Sequence, residues 1–424
     1  MIFIGLLLIL LAVAGAPLFA VIGASTMWGF STSDIDLSVV AIEVYRIAEM
    51  PVLLAIPLFT FAGYLLSESG APQRLVRVTR ALIGWFPGGL AIVALAACAF
   101  FTAFTGASGV TIIALGALLY PALLEDGYGE KFSLGLVTTS GSLGLLFAPS
   151  LPLILYGIVA QQAGADISLD RLFLAGALPG LLMLLLLGGW SVWTNRRNRV
   201  PLGNFSVEEL LAALRGSLWD IPLPIIVLGG IYSGFFAVSE AATVTAVYVL
   251  IVEVFILREI PLKSLPNIVH KSMGLVGGIM LILGLSLAST TYMIDAGVPT
   301  RLFEFVSEHV NSPLTFLLLL NVFLLILGAL LDIFSALVLV VPLILPVATG
   351  FGIDPIHLGI IFLANMQLGY LTPPVGLNLF IAGYRFDKPI ATIYQSTVPF
   401  FLVLLFCVVV ITYWPALSLW LIGG

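Results

Sequence analysis

Residues 367–378 read QLGYLTPPVGLN. Pro373 and Pro374 stand side by side, Gly369 and Gly376 flank them, and Gln367, Thr372 and Asn378 add polar groups. Apolar segments run on both sides. Proline removes a backbone donor and crowds the preceding helical turn, and it steers the residue before it out of helical space. A helix entering this stretch must break here. In hydrocarbon each freed backbone group costs several kcal/mol, so breaks survive only inside protein or along a watery cavity. The stretch therefore predicts irregular backbone lining a cavity. Freed carbonyls are hard oxygen ligands, and the Thr372 hydroxyl adds another. A helix N-terminus beside the break carries partial positive charge and suits an anion.

Composition identifies the surrounding solvent as a lipid bilayer. The chain has 424 residues, 61% of them hydrophobic and 9% charged, with mean hydropathy +1.18. A soluble domain carries about 25% charged residues. The long apolar runs predict membrane-spanning helices and not a β-barrel. Residues 1–30 carry no basic n-region and form too long an apolar stretch for a signal peptide, so they are expected to be a first membrane helix. Cys98 and Cys407 lie alone in apolar runs and read as packing residues. His270, His309 and His357 sit near loop ends and do not cluster. There is no G-x-x-x-x-G-K-[ST] motif and no loop domain large enough for ATP, so uphill movement of a solute would draw on an ion gradient. Nucleic acid is not an expected partner.

The break has a counterpart. Residues 120–150 and 345–375 share a pattern in which Pro121, Gly127, Leu143, Gly144 and Pro149 recur 225 residues later as Pro346, Gly352, Leu368, Gly369 and Pro374. SGAPQRL (69–75) recurs as AGVPTRL (296–302). Two units, about 45–195 and 272–424, thus repeat one another. Arg74, Arg77 and Arg80 place the first unit's early loop in the cytoplasm, while the matching place in the second unit carries Arg301 with Glu304 and Glu308. Residues 195–199 (NRRNR) and the segment with Arg258, Lys263 and Lys271 also read as cytoplasmic, whereas Asp34, Asp36, Glu43 and Glu49 mark 34–50 as external. These assignments agree only if the units are inverted, as in secondary transporters.

Span parity then sets the fold. The chain crosses an even number of times between Arg80 and Arg196, and 131–160 and 172–194 supply two crossings. Residues 87–124 must enter and leave on one side, as a re-entrant hairpin turning at Thr105–Gly109. The second unit's hairpin is expected at 312–348, turning around 327–336. The expected architecture is an all-α polytopic membrane protein with four parts. They are an N-terminal helix and arm (1–50); a first repeat (51–200) with hairpin 87–124 and broken helix 131–160; a middle section (201–273); and a second repeat (274–424) with hairpin 312–348 and broken helix 354–385. In the middle section, 204–219 and 260–273 read as amphipathic surface helices and 220–257 as a pair of spans. Glu240 is expected to favour the second span's N-terminus.

G-x-x-x-D (328–332), PLILP (342–346), G-I-D-P-I-H-x-G (352–359) and LGYLTPPVG (368–376) resemble the large membrane subunit of TRAP transporters, the tripartite ATP-independent periplasmic family. The first half adds TGASG, PALLEDGY and APSLPLILYG (148–157). Thr105 stands where the family usually has Ser, and Ala148 where it has Pro. The resemblance covers essentially the whole chain. It implies a Na⁺-coupled importer with an elevator motion, in which a transport domain of hairpins and broken helices slides against a scaffold. Substrate would come from a periplasmic binding protein, and a smaller membrane subunit would pair with this chain, both as separate polypeptides in the bacterial inner membrane. By carry-over and symmetry, one Na⁺ site would involve Thr105, Gly106, Ser108, Ser140 and Ser142, and a second Gly328, Asp332, Ser335, Thr372 and Pro373. Many of these would act through main-chain carbonyls. Asp332 is either a functional acid at membrane depth or a helix cap. Ser150, Tyr156, Asn365, Gln367 and Asn378 are candidates to face a sialic-acid or C4-dicarboxylate type substrate, with ordinary interhelical hydrogen bonding as the alternative for each. All sixteen Arg and Lys residues fall near span ends or in loops. Helix N-termini, hydroxyls and bound Na⁺ are therefore expected to balance a carboxylate. A stand-alone Na⁺/dicarboxylate symporter is the alternative function. An intramembrane enzyme would need a nucleophile–base or metal constellation that the sequence does not offer.

Overall fold

The computed structural model describes residues 10–11, 16–33, 35–86, 88–196, 205–310 and 312–423. Parts of several expectations lie outside them: residues 1–9 and 12–15 of the first helix, Asp34, Pro87, Asn204 and most of the NRRNR run. Among the described residues there is no strand, and eight helices are long and apolar enough to cross a bilayer, or up to nine if a bent pair is one span.

Helices α1 (Leu18–Thr32), α2 (Ser38–Arg46) and α3 (Ala55–Glu68) lead into α4 (Ala71–Ile83). A hairpin follows, α5 (Gly89–Thr105) and α6 (Ser108–Glu125), joined by Gly106 and Ala107. Gly106 has φ +66°, a left-handed conformation that lets a two-residue tip reverse the chain. The broken helix is α7 (Glu130–Ser140) and α8 (Leu151–Gln162), and α9 (Leu169–Asn195) closes the unit. The middle section holds α10 (Val207–Gly216), α11 (Pro222–Tyr232) and α12 (Val238–Leu250), the last extended by a π turn over Ile251–Ile256. The Glu240 carboxylate accepts from the Ala237 backbone N–H at 2.9 Å, so this acid does serve the helix N-terminus.

Residues 260–273 correct the expectation of a separate surface helix. Leu265 instead opens α13, a single helix of 31 residues ending at Asp295. Its one proline, Pro266, sits in the first turn, where a missing N–H costs nothing. Its glycines each cost only about 1 kcal/mol, so nothing separates the basic first turns from the apolar remainder.

The second unit is α14 (Val298–His309), hairpin α15 (Pro313–Leu330) and α16 (Ile333–Gly350), broken helix α17 (Pro355–Gly369) and α18 (Leu377–Phe386), then α19 (Ile390–Tyr413) and a short α20 (Ala416–Leu419). The end of α5, both ends of α6 and the start of α7 recur 225 residues later in α15, α16 and α17. The breaks match too, with cis peptide bonds at Ala148–Pro149 and Pro373–Pro374.

The inversion follows from α13. At about 1.5 Å per residue it is about 46 Å long. Lys271 near its start pairs with Glu68 at the end of α3 (2.9 Å), just before α4, whereas α14 follows its far end. Equivalent helices α4 and α14 thus lie at opposite ends of one spanning helix. The two units also interlock. Helix α6 packs on α18, and α16 packs on α8, each hairpin's second arm against the other unit's second segment. Helix α17 is buried on every side from Ile356 to Gly369, mostly apolar but for His357, Asn365 and Gln367. Helices α1, α3, α12 and α13 pack mainly on one another outside this assembly.

Arm α4 is tied down. Arg74 forms ion pairs with Asp220 before α11, Glu253 in the π turn (3.0 Å) and Glu259, which also accepts from the Gly70 N–H. Arg77 pairs with Glu209 of α10 at 2.8 Å. The equivalent arm α14 has no buried residue, and Arg301 is exposed and makes no ion pair with a described residue.

Candidate functional site

Each hairpin tip is pressed against the break of its own unit. A Cβ on Gly144 would lie 2.2 Å from the Ala99 carbonyl oxygen and 2.5 Å from the Ala103 nitrogen. A Cβ on Gly369 would lie 2.6 Å from the Gly328 Cα. Both contacts obey the 225-residue offset, Gly144 with Gly369 and Ala103 with Gly328. Only a residue without a side chain lets backbone approach backbone this closely.

At the first tip, Thr105 is buried and its hydroxyl has no partner among the described residues. Ser108 opens α6, and its carbonyl oxygen lies 3.2 Å from where a Cβ on Gly141 would stand. The Ser140 and Ser142 hydroxyls donate to the Val137 and Thr139 carbonyls, within their own segment. Two residues that sequence reasoning missed tie this tip. The Thr102 hydroxyl lies 2.7 Å from that of Thr111 and 2.9 Å from the Gly141 carbonyl oxygen, linking both hairpin arms to the break.

At the second tip, Asp332 caps the start of α16. One carboxylate oxygen accepts from the Phe334 and Ser335 backbone N–H groups at 3.0 and 3.1 Å, and the other accepts from the Ser335 hydroxyl. The break is fastened to the tip: the Val375 and Gly376 N–H groups both donate to the Ala329 carbonyl, and the Ile333 N–H donates to the Tyr370 hydroxyl at 2.8 Å. Tyr370 was visible in the opening stretch, but nothing there pointed to its partner. The Thr372 hydroxyl donates back to the Leu368 carbonyl at 3.0 Å, and its oxygen keeps lone pairs that can still accept.

Of the five residues expected to face substrate, four present buried polar atoms without partners among the described residues: the Ser150 hydroxyl, the Asn365 and Asn378 amide oxygens, and both polar atoms of Gln367. An unpaired buried polar atom costs about 1–3 kcal/mol, and such atoms mark where a ligand or water belongs. Asn378 reaches across the units, its amide nitrogen 3.3 Å from the Thr138 carbonyl. Tyr156 makes the interhelical hydrogen bond that the sequence left as its alternative: its hydroxyl donates to the Pro355 carbonyl and its ring packs on Gly359, clasping α8 to α17.

The donors at both tips are oxygens, which suit a hard monovalent or divalent cation and not a soft one. Among the described residues no group of three or more His, Cys, Asp or Glu is placed to hold a metal ion. Two inverted repeats, each with a tip closed on a broken helix, are the architecture of a secondary transporter. The chain belongs to the DctM component family of tripartite ATP-independent periplasmic transporters, whose model matches residues 2–417. It is 36% identical over 398 residues to the C4-dicarboxylate TRAP transporter large permease protein DctM of Pseudomonas aeruginosa, covering 94% of this chain and 92% of that one. It is 30% identical over 408 residues to the sialic acid TRAP transporter permease protein SiaT of Haemophilus influenzae, covering 95% of this chain and 65% of that one. The fold is also similar to the crystal structure of the Alcanivorax borkumensis YdaH transporter, with TM-score 0.63 and 14% identity over 91% of this chain and 89% of that one. The protein is a multi-pass transporter subunit.

Proposed function

We propose that this chain is the large membrane subunit of a Na⁺-driven importer of an organic acid in the inner membrane. A periplasmic binding protein delivers the acid, and a smaller membrane subunit completes the complex. The observation that carries this reading is the pairing of two equivalent tip-and-break contacts, whose oxygen-rich surroundings suit Na⁺, with four buried side chains that each hold a polar atom without a partner among the described residues. Relatives that move a C4-dicarboxylate and a sialic acid support an anionic substrate. Helix N-termini at the breaks and the bound cation supply its counter-charge. The interlocked hairpins and broken helices move as the transport domain, and the group of α1, α3, α12 and α13 stays as the scaffold.

The test is uptake into proteoliposomes holding this chain and its small partner, with labelled succinate or N-acetylneuraminate and an imposed Na⁺ gradient. Uptake that needs both the gradient and the binding protein is the expected result. Na⁺-driven uptake without the binding protein would establish a stand-alone symporter instead. Uptake indifferent to Na⁺ would remove the cation reading of the two tips.

A further inference from the structure

A polar residue in the middle of an apolar helix face stands outside every site described so far. Asn321 lies on α15 within the run LLLLNVFLLIL, two turns before Gly328 and on the same helical face. Its amide oxygen accepts from the Asn365 amide nitrogen at 2.6 Å and from the Thr412 hydroxyl at 3.1 Å. Three helices, α15, α17 and α19, therefore meet at one amide oxygen.

The orientation of these groups follows from a single backbone atom. The Asn365 amide nitrogen also lies 2.9 Å from the Ile361 carbonyl oxygen. A carbonyl can only accept, so the nitrogen of Asn365, and not its oxygen, must face Ile361. With that settled, Asn321 must turn its oxygen toward Asn365, and the Thr412 hydroxyl must donate to Asn321. Both N–H bonds of Asn365 are then engaged. Its amide oxygen is left as a pure acceptor, on a residue with no exposed surface, and it has no partner among the described residues. A network without Asn321 would leave the Asn365 nitrogen held by the Ile361 carbonyl alone, with one of its two bonds lost.

The position of that oxygen is informative. Asn365 precedes Gly369 by one helical turn, about 6 Å along α17. The same face meets α15 at Gly328, where a Cβ would lie 3.2 Å from the Met366 sulfur and 3.1 Å from the Gly369 Cα. Counting back 225 residues from Asn365 reaches Ser140, in the corresponding place of the first break. An acceptor that cannot donate is matched by a cation and repels a carboxylate. An amide oxygen is also a hard ligand of the kind alkali and alkaline-earth ions take.

We infer that Asn321 is a positioning residue, which with Thr412 locks the Asn365 amide so that its oxygen is presented to a Na⁺ ion near the second tip. This rests on the Na⁺-coupled reading above and extends it to a residue pair that does not line the tip itself. The purified full chain gives the test, through its thermal stabilisation on titration with NaCl against choline chloride at constant ionic strength. Asn321→Leu removes the acceptor and should raise the NaCl concentration for half-maximal stabilisation roughly three- to tenfold, the size of one lost hydrogen bond. Asn321→Asp keeps an oxygen facing Asn365 and should stay within about twofold of the parent, below the effect of one hydrogen bond. A merely structural role would lower the baseline melting temperature of the Leu variant without moving the Na⁺ midpoint, and that outcome overturns the inference. If the Leu variant does not fold, Thr412→Val, which removes one donor at nearly constant volume, should shift the midpoint in the same direction, and an unchanged midpoint again overturns it. A parent protein that shows no stabilisation by NaCl beyond choline chloride would overturn the Na⁺-coupled reading and this inference with it, whereas a responsive parent beside a variant whose Na⁺ midpoint is unchanged overturns this inference alone.

Discussion

Gly369 and Gly144 show how single residues set the site. A methyl group on Gly369 would sit 2.6 Å from backbone atoms of Gly328, and no side chain can swing aside to make room. Gly369→Ala must therefore separate the break from the tip. We expect a loss of about 1–3 kcal/mol, the usual cost of overpacking, with Na⁺-dependent uptake abolished while the protein still inserts. Gly274 on α13 is the control. Nothing lies within 4 Å of its would-be Cβ, so Gly274→Ala should be neutral or stabilise by up to about 1 kcal/mol through helix propensity. Thermal unfolding in detergent beside proteoliposome uptake separates the two. Tyr156→Phe tests the clasp in the same way. Losing the bond to Pro355 should cost about 1 kcal/mol and leave the half-saturating substrate concentration unchanged. A large rise in that concentration would return Tyr156 to the substrate site.

The two hairpin tips are equivalent in place but not in chemistry. Helix α16 begins at Asp332, whose carboxylate accepts from two backbone N–H groups, whereas α6 begins after Ala107, which has no such group. Asp332→Ala should destabilise by about 1 kcal/mol, the worth of an N-cap. Asp332→Asn keeps a capping oxygen and should restore the melting temperature. If the Asn variant also restores the Na⁺ dependence of uptake, the acid serves only as a cap; if it restores stability alone, the charge itself contributes to the ion. The repeat and both breaks were legible in the sequence because Pro149, Pro374, Gly144 and Gly369 act on their own backbone, and local rules reach them. Asn321 and Thr102 were not legible. Each looks like a stray polar residue in an apolar run, and its meaning lies in partners on other helices, Asn365 and Gly141, that no periodicity reports. The length of α13 was misjudged for a related reason. Basic residues near 260–273 signal a membrane surface, but a surface signal does not end a helix unless a breaker follows.

Across the whole molecule, inversion places arm α4 and arm α14 on opposite membrane faces, and among the described residues α4 is held by ion pairs whereas α14 is held by apolar packing on α16. The Arg74 side chain is 14% exposed and that of Glu253 1%, so removing the cation leaves the buried Glu253 uncompensated. Arg74→Gln should cost about 3 kcal/mol, as breaking a buried pair does, and the loss should persist in high salt, since buried charges are little screened. Arg301→Gln at the equivalent place should change the melting temperature hardly at all. Equal effects at the two positions would mean that the fold treats its arms alike. The architecture is thus two-fold in its parts list but not in its stiffness. Backbone amides make the difference readable: in hydrogen–deuterium exchange α4 should keep its protons long after α14 has traded them, and any slow change of shape should begin from the α14 face.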